Sequence, residues 1–185
     1  MPILKIIFDI CLLRGRPQDL PASRNLLGLI ALAAVVTSYA RVMRVDGASF
    51  SGLILSIFQV AIFGAVVWVV LKVRDRPERW LQSMTALYAV NTLFGLMILP
   101  VLPQLVEAAK HAIEAFQQGT AAPIGWELLF ASAADVWYLL IMAQVLRQAA
   151  EWSFGLSVFV SVFALLSIGM MEIQLTAILS VPAPT

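Results

Sequence analysis

The residues most able to do chemistry are polar side chains that fall inside long apolar stretches of the sequence. Asp135 lies about eleven residues into an apolar stretch over residues 124–146, which is near the centre of a bilayer at a helical rise of about 1.5 Å per residue. A charged side chain at that depth costs roughly 2.5 to 3.5 kcal/mol, and ionisable groups inside membranes often serve proton or ion pathways. Asn91 lies at mid-depth in another stretch, and Gln59 lies somewhat short of the centre in a third. The pattern predicts a polar cluster near the membrane midplane.

The candidate cluster allows two interpretations. No Lys or Arg is expected at the depth of Asp135, so we expect its carboxyl group either to be protonated or to be held by amide and hydroxyl groups, including Ser132 or Tyr138 one turn away. In the first interpretation the cluster joins helices through hydrogen bonds, and in the second it couples to the movement of a proton or an ion. The predicted members are Asp135, Asn91, Gln59, Ser132 and Tyr138.

The sequence carries no recognised catalytic, nucleotide-binding or metal-binding motif. The one histidine, His111, has ordinary charged neighbours, and the single cysteine, Cys11, excludes an internal disulfide and a multi-cysteine metal site. An intramembrane enzyme would need a nucleophile or a metal set on facing helices, and neither pattern is present. We therefore expect no catalytic residue, no cofactor and no metal, and a protein that is not an enzyme.

Five long apolar stretches supply the elements that must position the polar residues. The chain of 185 residues is 61% hydrophobic and 12% charged, with a mean hydropathy of +0.92, whereas globular domains are about 25% charged. Hydrocarbon offers the backbone no hydrogen-bond partner, so continuous apolar runs of this length predict transmembrane helices. We predict an all-α membrane protein, one membrane domain over residues 1–185, with a bundle of five spans at about residues 25–43, 50–73, 80–102, 124–146 and 153–179.

Local signals mark several ends of these spans. Ser23 can cap the first span, and Asp75, with Pro77 and Glu78 after it, is typical of a capping arrangement that opens the third. Prolines near the end of the third span indicate a kink or an exit. Beyond them, apolar residues at helical spacing opposite charged residues predict an external surface helix over about residues 104–118.

Lys and Arg residues are distributed unevenly between the connections. Nine lie before the first span, in the connection over residues 72–79 and after the fourth span, whereas Arg41, Arg44 and Lys110 lie on the other side. The positive-inside rule then places the N-terminus in the cytoplasm, and five spans place the C-terminus outside. Short loops, Ala-, Leu- and Val-rich helices and the lack of a cleavable signal favour a bacterial inner membrane, with a eukaryotic endomembrane as the alternative.

The N-terminal segment over residues 1–24 is predicted to lie in the cytoplasmic interface. Its apolar run over residues 1–13 is interrupted by Lys5 and Asp9 and is too short to span, so we predict an uncleaved interfacial amphipathic helix. Cations that follow this helix, or lie in the connection after the second span, are candidates for contacts with a partner or with anionic headgroups. They are Arg14, Arg16, Arg74, Arg76 and Arg79.

The order of these features also indicates a family. The run Val136-Trp-Tyr-Leu-Leu-Ile-Met-Ala-Gln-Val-Leu-Arg147 is followed by a short turn and an apolar last helix. Together with the N-terminal segment and the five closely spaced helices, it resembles the Yip1-type membrane domain in the layout of the last four spans. The resemblance implies a non-enzymatic membrane protein that works through partner or lipid contacts, and it transfers no functional residue.

Two functions stay open from the sequence. Small size, short loops and the lack of motifs favour an accessory, assembly or scaffolding subunit of a larger membrane complex, in contact with membrane lipids and with other membrane protein subunits or a second copy. The alternative is a small ion- or proton-coupled transporter or a lipid-handling protein that uses Asp135, although five spans cannot divide into equal inverted repeats. A balance of 12 Lys and Arg against 11 Asp and Glu gives no field that would favour nucleic acid as a partner.

Overall fold

The computed structural model of the chain describes residues 3–120 and 125–179, and this part of the chain is helical without any β-strand. Two 3₁₀ turns, Pro17–Asp19 and Pro77–Arg79, interrupt the connections. The α-helices are α1 (Ile3–Cys11), α2 (Arg24–Asp46), α3 (Phe50–Val73), α4 (Trp80–Ile98), α5 (Leu102–Gln117), α6 (Trp126–Ala150) and α7 (Phe154–Leu179).

Four stretches of these helices are long and apolar enough to cross a membrane. They are Arg24–Val45, Phe50–Val73, Pro77–Ile98 and Trp126–Ala150. In α7 the apolar stretch among the described residues is Phe154–Ser167. The predicted all-α, multi-helix fold is confirmed, and the four apolar helices are compatible with a membrane protein. The bundle, the fifth crossing and the orientation stay predictions.

The helix ends show which local signals decide the boundaries. The Oγ atom of Ser23 accepts a hydrogen bond from the backbone N–H of Leu26 at 3.3 Å, so the predicted cap of α2 is confirmed. Before α4, by contrast, Asp75 adopts a positive φ of 54°, and no side chain caps the helix. The expected cap at Asp75 is wrong because the chain first folds back, and the N–H of Arg76 bonds to the carbonyl of Leu71 at 2.9 Å.

Proline ends the third span. Helix α4 stops at Ile98, four residues before the predicted end, and the chain turns before α5 begins at Leu102. Pro103 stands in the first turn of α5, where its missing N–H needs no intrahelical partner. The structure has a break in the helix at this point and a helix, α5, at about the predicted residues, and its place outside the membrane stays a prediction.

Large buried side chains are concentrated toward one end of the helices. Helix α4 packs against α2, α3 and α6, and α7 packs against α3 and α6. We call the end formed by the starts of α4 and α7 and the ends of α3 and α6 the closed end, and the opposite end the open end. Large side chains with no more than 1% exposure fill the closed half, among them Met84, Leu87, Ile141, Met142 and Leu146.

Small residues let these helices approach closely. A Cβ atom added to Gly64 in α3 would lie 2.6 Å from the hydroxyl of Tyr88 in α4. In α7, the side chains of Ser157 and Ser161 are fully buried. Side chains of this size allow neighbouring backbones to pack at short distance inside a membrane, where the hydrophobic effect does not drive helix association.

Helix α1 packs against the other helices instead of lying alone on a surface. Ile6, Ile7 and Ile10 are between 2% and 8% exposed, and α1 contacts both α4 and α6. The indole N–H of Trp137 donates to the backbone carbonyl of Cys11 at 3.0 Å and so provides a partner for a carbonyl at the end of α1. The face that carries Leu4, Phe8 and Leu12 is exposed and apolar. It is available to lipid.

Candidate functional site

A cavity of about 420 Å³ lies between helices toward the open end. It is formed by α2, α3, α4, α6 and α7, and its lining mixes apolar and aromatic side chains with charged and amide groups. The apolar lining consists of Val60, Phe63, Phe94, Ile98 and Leu165, and the polar lining consists of Arg41, Gln59, Tyr88, Asn91, Asp135 and Tyr138.

Four of the five residues predicted for the midplane cluster line this one cavity. Gln59 comes from α3, Asn91 from α4, and Asp135 with Tyr138 from α6. Helices α3 and α6 run opposite to α4, and all three amide or carboxyl residues lie roughly 16 to 23 Å from the closed end at about 1.5 Å per residue. Their common depth therefore brings them together, and the role of the cluster stays a prediction.

Ser132 is not part of the cavity lining. Its Oγ donates to the carbonyl of Leu128, one turn back in the same helix, at 2.8 Å, and the residue is exposed. A serine bonded in this way has no hydroxyl hydrogen left for Asp135. The structure therefore shows no hydrogen bond between Ser132 and the carboxyl group of Asp135, which was the expected contact.

Arg41 also lines the cavity, and the sequence reasoning did not include it in the cluster. It lines the same cavity as Asp135, whereas no cation was expected at the depth of that carboxyl group. Helix α2 continues to Asp46, and this places Arg41 inside the helix instead of in a connection. The signal was present in the sequence, because Arg41 falls within the predicted span over residues 25–43.

The guanidinium of Arg41 keeps unused hydrogen-bonding capacity. One terminal nitrogen donates to the Oγ of Ser38 at 3.2 Å, whereas the Nε atom is buried and makes no hydrogen bond. Arg41 and Asp135 are not joined by an ion pair within 4.0 Å. The guanidinium of Arg41 and the carboxyl group of Asp135 thus line one cavity without a direct contact.

Aromatic residues close the cavity toward the closed end. The hydroxyl of Tyr88 donates to the backbone carbonyl of Val60 at 2.6 Å, and its ring lies 6.2 Å from that of Phe63 between centroids. The rings of Phe94 and Tyr138 lie 5.7 Å apart in a tilted pair. Both distances are within the range of favourable aromatic pairs, so the rings are held in fixed positions.

The cavity has the size and the mixed lining of a ligand-binding site. Its volume falls within the range of about 300 to 1,000 Å³ that is usual for ligand sites, and a few polar groups stand among apolar walls. The cavity supplies one carboxylate, and no group of three or more His, Cys, Asp or Glu able to hold a metal ion occurs in the part of the chain that the structure describes. Comparison of the chain with protein-family models, with curated proteins and with solved structures finds no match.

Three of the five arginines predicted to make cytoplasmic contacts instead bond to the end of α6. Arg79 donates to the carbonyls of Gln148 and Ala149 at 3.1 Å each, and to a carboxylate oxygen of Glu151 at 2.6 Å. Arg76 donates to the other carboxylate oxygen at 3.1 Å. Arg74 donates to the carbonyl of Ala150 at 3.4 Å. We call Arg74, Arg76 and Arg79 the arginine cap.

The arginine cap satisfies the C-terminus of a helix. The last carbonyls of α6 have no intrahelical partner, and cations are favourable at the negative end of the helix dipole. The hydrogen bond from Arg79 and the charge of Arg76 lower the pKa of Glu151, which ends α6 at a positive φ of 55°. Arg14 and Arg16, the other two predicted contacts, are exposed.

Proposed function

We propose that the protein crosses the membrane of a bacterial cell five times, with its N-terminus and the arginine cap in the cytoplasm. The uneven distribution of Lys and Arg supports this orientation, and the apolar stretch Phe154–Ser167 supports a fifth crossing. Under this proposal the open end of the cavity faces away from the cytoplasm.

Cysteine labelling tests the orientation. Replacement of Cys11 by Ser gives a background without cysteine, in which Asp75→Cys and Gln118→Cys place single thiols at two exposed positions. A membrane-impermeant maleimide added to intact cells is expected to label Gln118→Cys and to spare Asp75→Cys until the cells are opened. The reverse pattern would refute the orientation.

We propose further that the protein is non-enzymatic and binds a ligand in the cavity, as a lipid-handling protein or a small ion- or proton-coupled transporter. One observation carries this proposal: Arg41, Asp135 and the amides of the cluster line a single cavity within apolar helices. Charged groups inside a membrane are costly, so they are commonly found where they meet a ligand, an ion or each other. Here the two charges do not meet each other.

A cavity-filling variant tests ligand binding. Ile98→Trp puts an indole into the cavity wall, whereas Leu96→Trp, its matched control, puts the same group on a side of α4 that is 53% exposed. We expect mass spectrometry of the gently purified protein to find a small molecule or lipid retained by the wild type and by Leu96→Trp and lost from Ile98→Trp. Equal retention by all three proteins would refute the proposal.

A second candidate is an accessory, assembly or scaffolding subunit of a larger membrane complex. It is favoured by the exposure of Asp135 within α6, because a helix of another membrane protein would shield that carboxylate from lipid. A Yip1-type layout, which we also propose, would imply a protein that works through contacts with partners or lipids. Affinity purification from the native membrane is expected to recover a stoichiometric membrane partner that Asp135→Leu loses, and a solitary chain would contradict this candidate.

A further inference from the structure

The charge balance of the cavity restricts what it can hold. Its lining contains one cation, Arg41, and one carboxylate, Asp135. In a medium of low dielectric constant, Arg41 would attract an anion and Asp135 would repel it. A cation would be attracted by Asp135 and repelled by Arg41. A ligand with both charges and no net charge satisfies the two residues together.

Both charged side chains have hydrogen-bonding capacity left for such a ligand. The Nε atom of Arg41 is buried without a hydrogen bond, and a guanidinium binds phosphate and other oxyanions through two parallel N–H groups. Among the described residues, no hydrogen bond reaches the carboxylate of Asp135. An ammonium group, which has three donors, is the complementary partner for that carboxylate.

The remaining lining fits the same ligand. Phe94 and Tyr138 line the cavity, and aromatic rings attract ammonium groups. Gln59 and Asn91 can donate to or accept from a polar head. Apolar side chains on α3, α4 and α7 provide a wall for an attached hydrocarbon chain.

From these groups we infer that the cavity binds a phosphoethanolamine group, with its phosphate at Arg41 and its ammonium at Asp135. The inference rests on the proposed ligand-binding function and gives the chemical class of the ligand. The group has two sources, a phosphatidylethanolamine lipid or free phosphoethanolamine. Both carry a phosphate and an ammonium group. The phosphate of the free compound is a monoester with a second ionisable oxygen, so only the lipid has no net charge, and only the lipid carries chains for the apolar wall.

The test measures binding selectivity with the full-length protein in delipidated detergent micelles. The probes are phosphatidylethanolamine, phosphatidylglycerol and free phosphoethanolamine. We expect the wild type to prefer phosphatidylethanolamine to phosphatidylglycerol by at least about tenfold, since charge-assisted hydrogen bonds contribute about 1.5 to 3 kcal/mol and tenfold corresponds to about 1.4 kcal/mol. Binding of free phosphoethanolamine in competition with the lipid identifies a soluble source, and binding of the lipid alone identifies a lipid source.

Variants separate the roles of the two charges. Asp135→Asn should reverse the preference toward phosphatidylglycerol, because only the cation remains, and Arg41→Gln should weaken both lipids. Asp135→Glu keeps the charge and should keep the preference. Ser132→Ala, on the same helix but outside the cavity, is the matched control.

Two results would overturn the inference. The first is equal affinity of the wild type for phosphatidylethanolamine and phosphatidylglycerol. The second is an Asp135→Asn variant that elutes as a folded protein and keeps the wild-type preference for phosphatidylethanolamine. The cavity-filling variant distinguishes this failure from failure of the proposed function. If Ile98→Trp loses a molecule that has no phosphoethanolamine group and that the wild type retains, the cavity binds a ligand of another class. If Ile98→Trp loses no molecule, the proposed ligand-binding function is refuted as well.

Discussion

Replacement of Arg79 by Met should destabilise the protein by freeing the end of α6. The methionine keeps most of the length of the side chain but removes all of its donors. The carbonyls of Gln148 and Ala149 then lose the guanidinium that binds both of them at 3.1 Å. Because these are the orphan carbonyls of a helix terminus, no backbone group of α6 can replace the lost donor.

The size of the effect follows from the two carbonyl contacts. A hydrogen bond that involves a charged group contributes about 1.5 to 3 kcal/mol, so two of them would give about 3 kcal/mol or more in a dry site. The side chain of Arg79 is 23% exposed, and water can therefore rehydrate part of the freed carbonyl surface. We expect a loss of about 2 kcal/mol in the free energy of unfolding. The contact with the exposed Glu151 is left out of this figure.

Equilibrium unfolding by SDS titration in mixed micelles measures the loss. Arg14→Met is the matched control, because Arg14 is exposed and its side chain makes no hydrogen bond among the described residues. Arg79→Lys should fall between the wild type and Arg79→Met, since an ammonium keeps the charge but not the planar fork. If Arg79→Met unfolds at the same midpoint as Arg14→Met, the cap does not stabilise α6 and the reasoning is refuted.

Three further predictions concern stability in the same assay. The arginine cap lowers the pKa of Glu151 below its ordinary value of 4.5, so the ion pairs of Glu151 stabilise the protein at neutral pH. This stabilisation is lost as the pH falls through the lowered pKa. The difference in unfolding free energy between the wild type and Glu151→Gln should therefore shrink below pH 4.5. Gly64→Ala should cost about 1 to 3 kcal/mol because its methyl group would meet a tyrosine hydroxyl at 2.6 Å, whereas Gly28→Ala, with nothing within 4 Å, should be close to neutral. Ile10→Ala should cost about 2 to 4 kcal/mol, and Leu12→Ala, 54% exposed, much less; equal costs would show that α1 does not pack through its isoleucines.

The sequence grouped residues that line one cavity because depth can be estimated from position along a helix. Asp135, Asn91 and Gln59 lie at similar distances from the closed end, and antiparallel helices bring equal depths together. Rotation about the helix axis is not readable in the same way. Ser132 and Asp135 are about 60° apart around α6, and packing alone decides which of them faces a neighbour.

Local sequence patterns could not predict the contacts between the arginine cap and the end of α6. An Arg-rich connection predicts a cytoplasmic surface, but the partner of Arg79 lies about 70 residues away along the chain. Nothing in the spacing of the connection indicates that its guanidinium groups turn back toward a helix end. Arg41 was missed for a related reason, since a cation near the end of a span counts first as a loop residue in a hydropathy reading.

The buried side chains at the closed end separate the cavity from that end of the protein. A solute that reaches Tyr88 meets a plug of side chains beyond it, including Met84 and Ile141, neither of which has any exposed surface. An isolated ion that enters such a medium faces a solvation penalty of tens of kcal/mol. A ligand can therefore reach and leave the cavity from the open end while the closed end stays packed. Passage of a ligand to the other side requires a second conformation in which α4 and α6 separate.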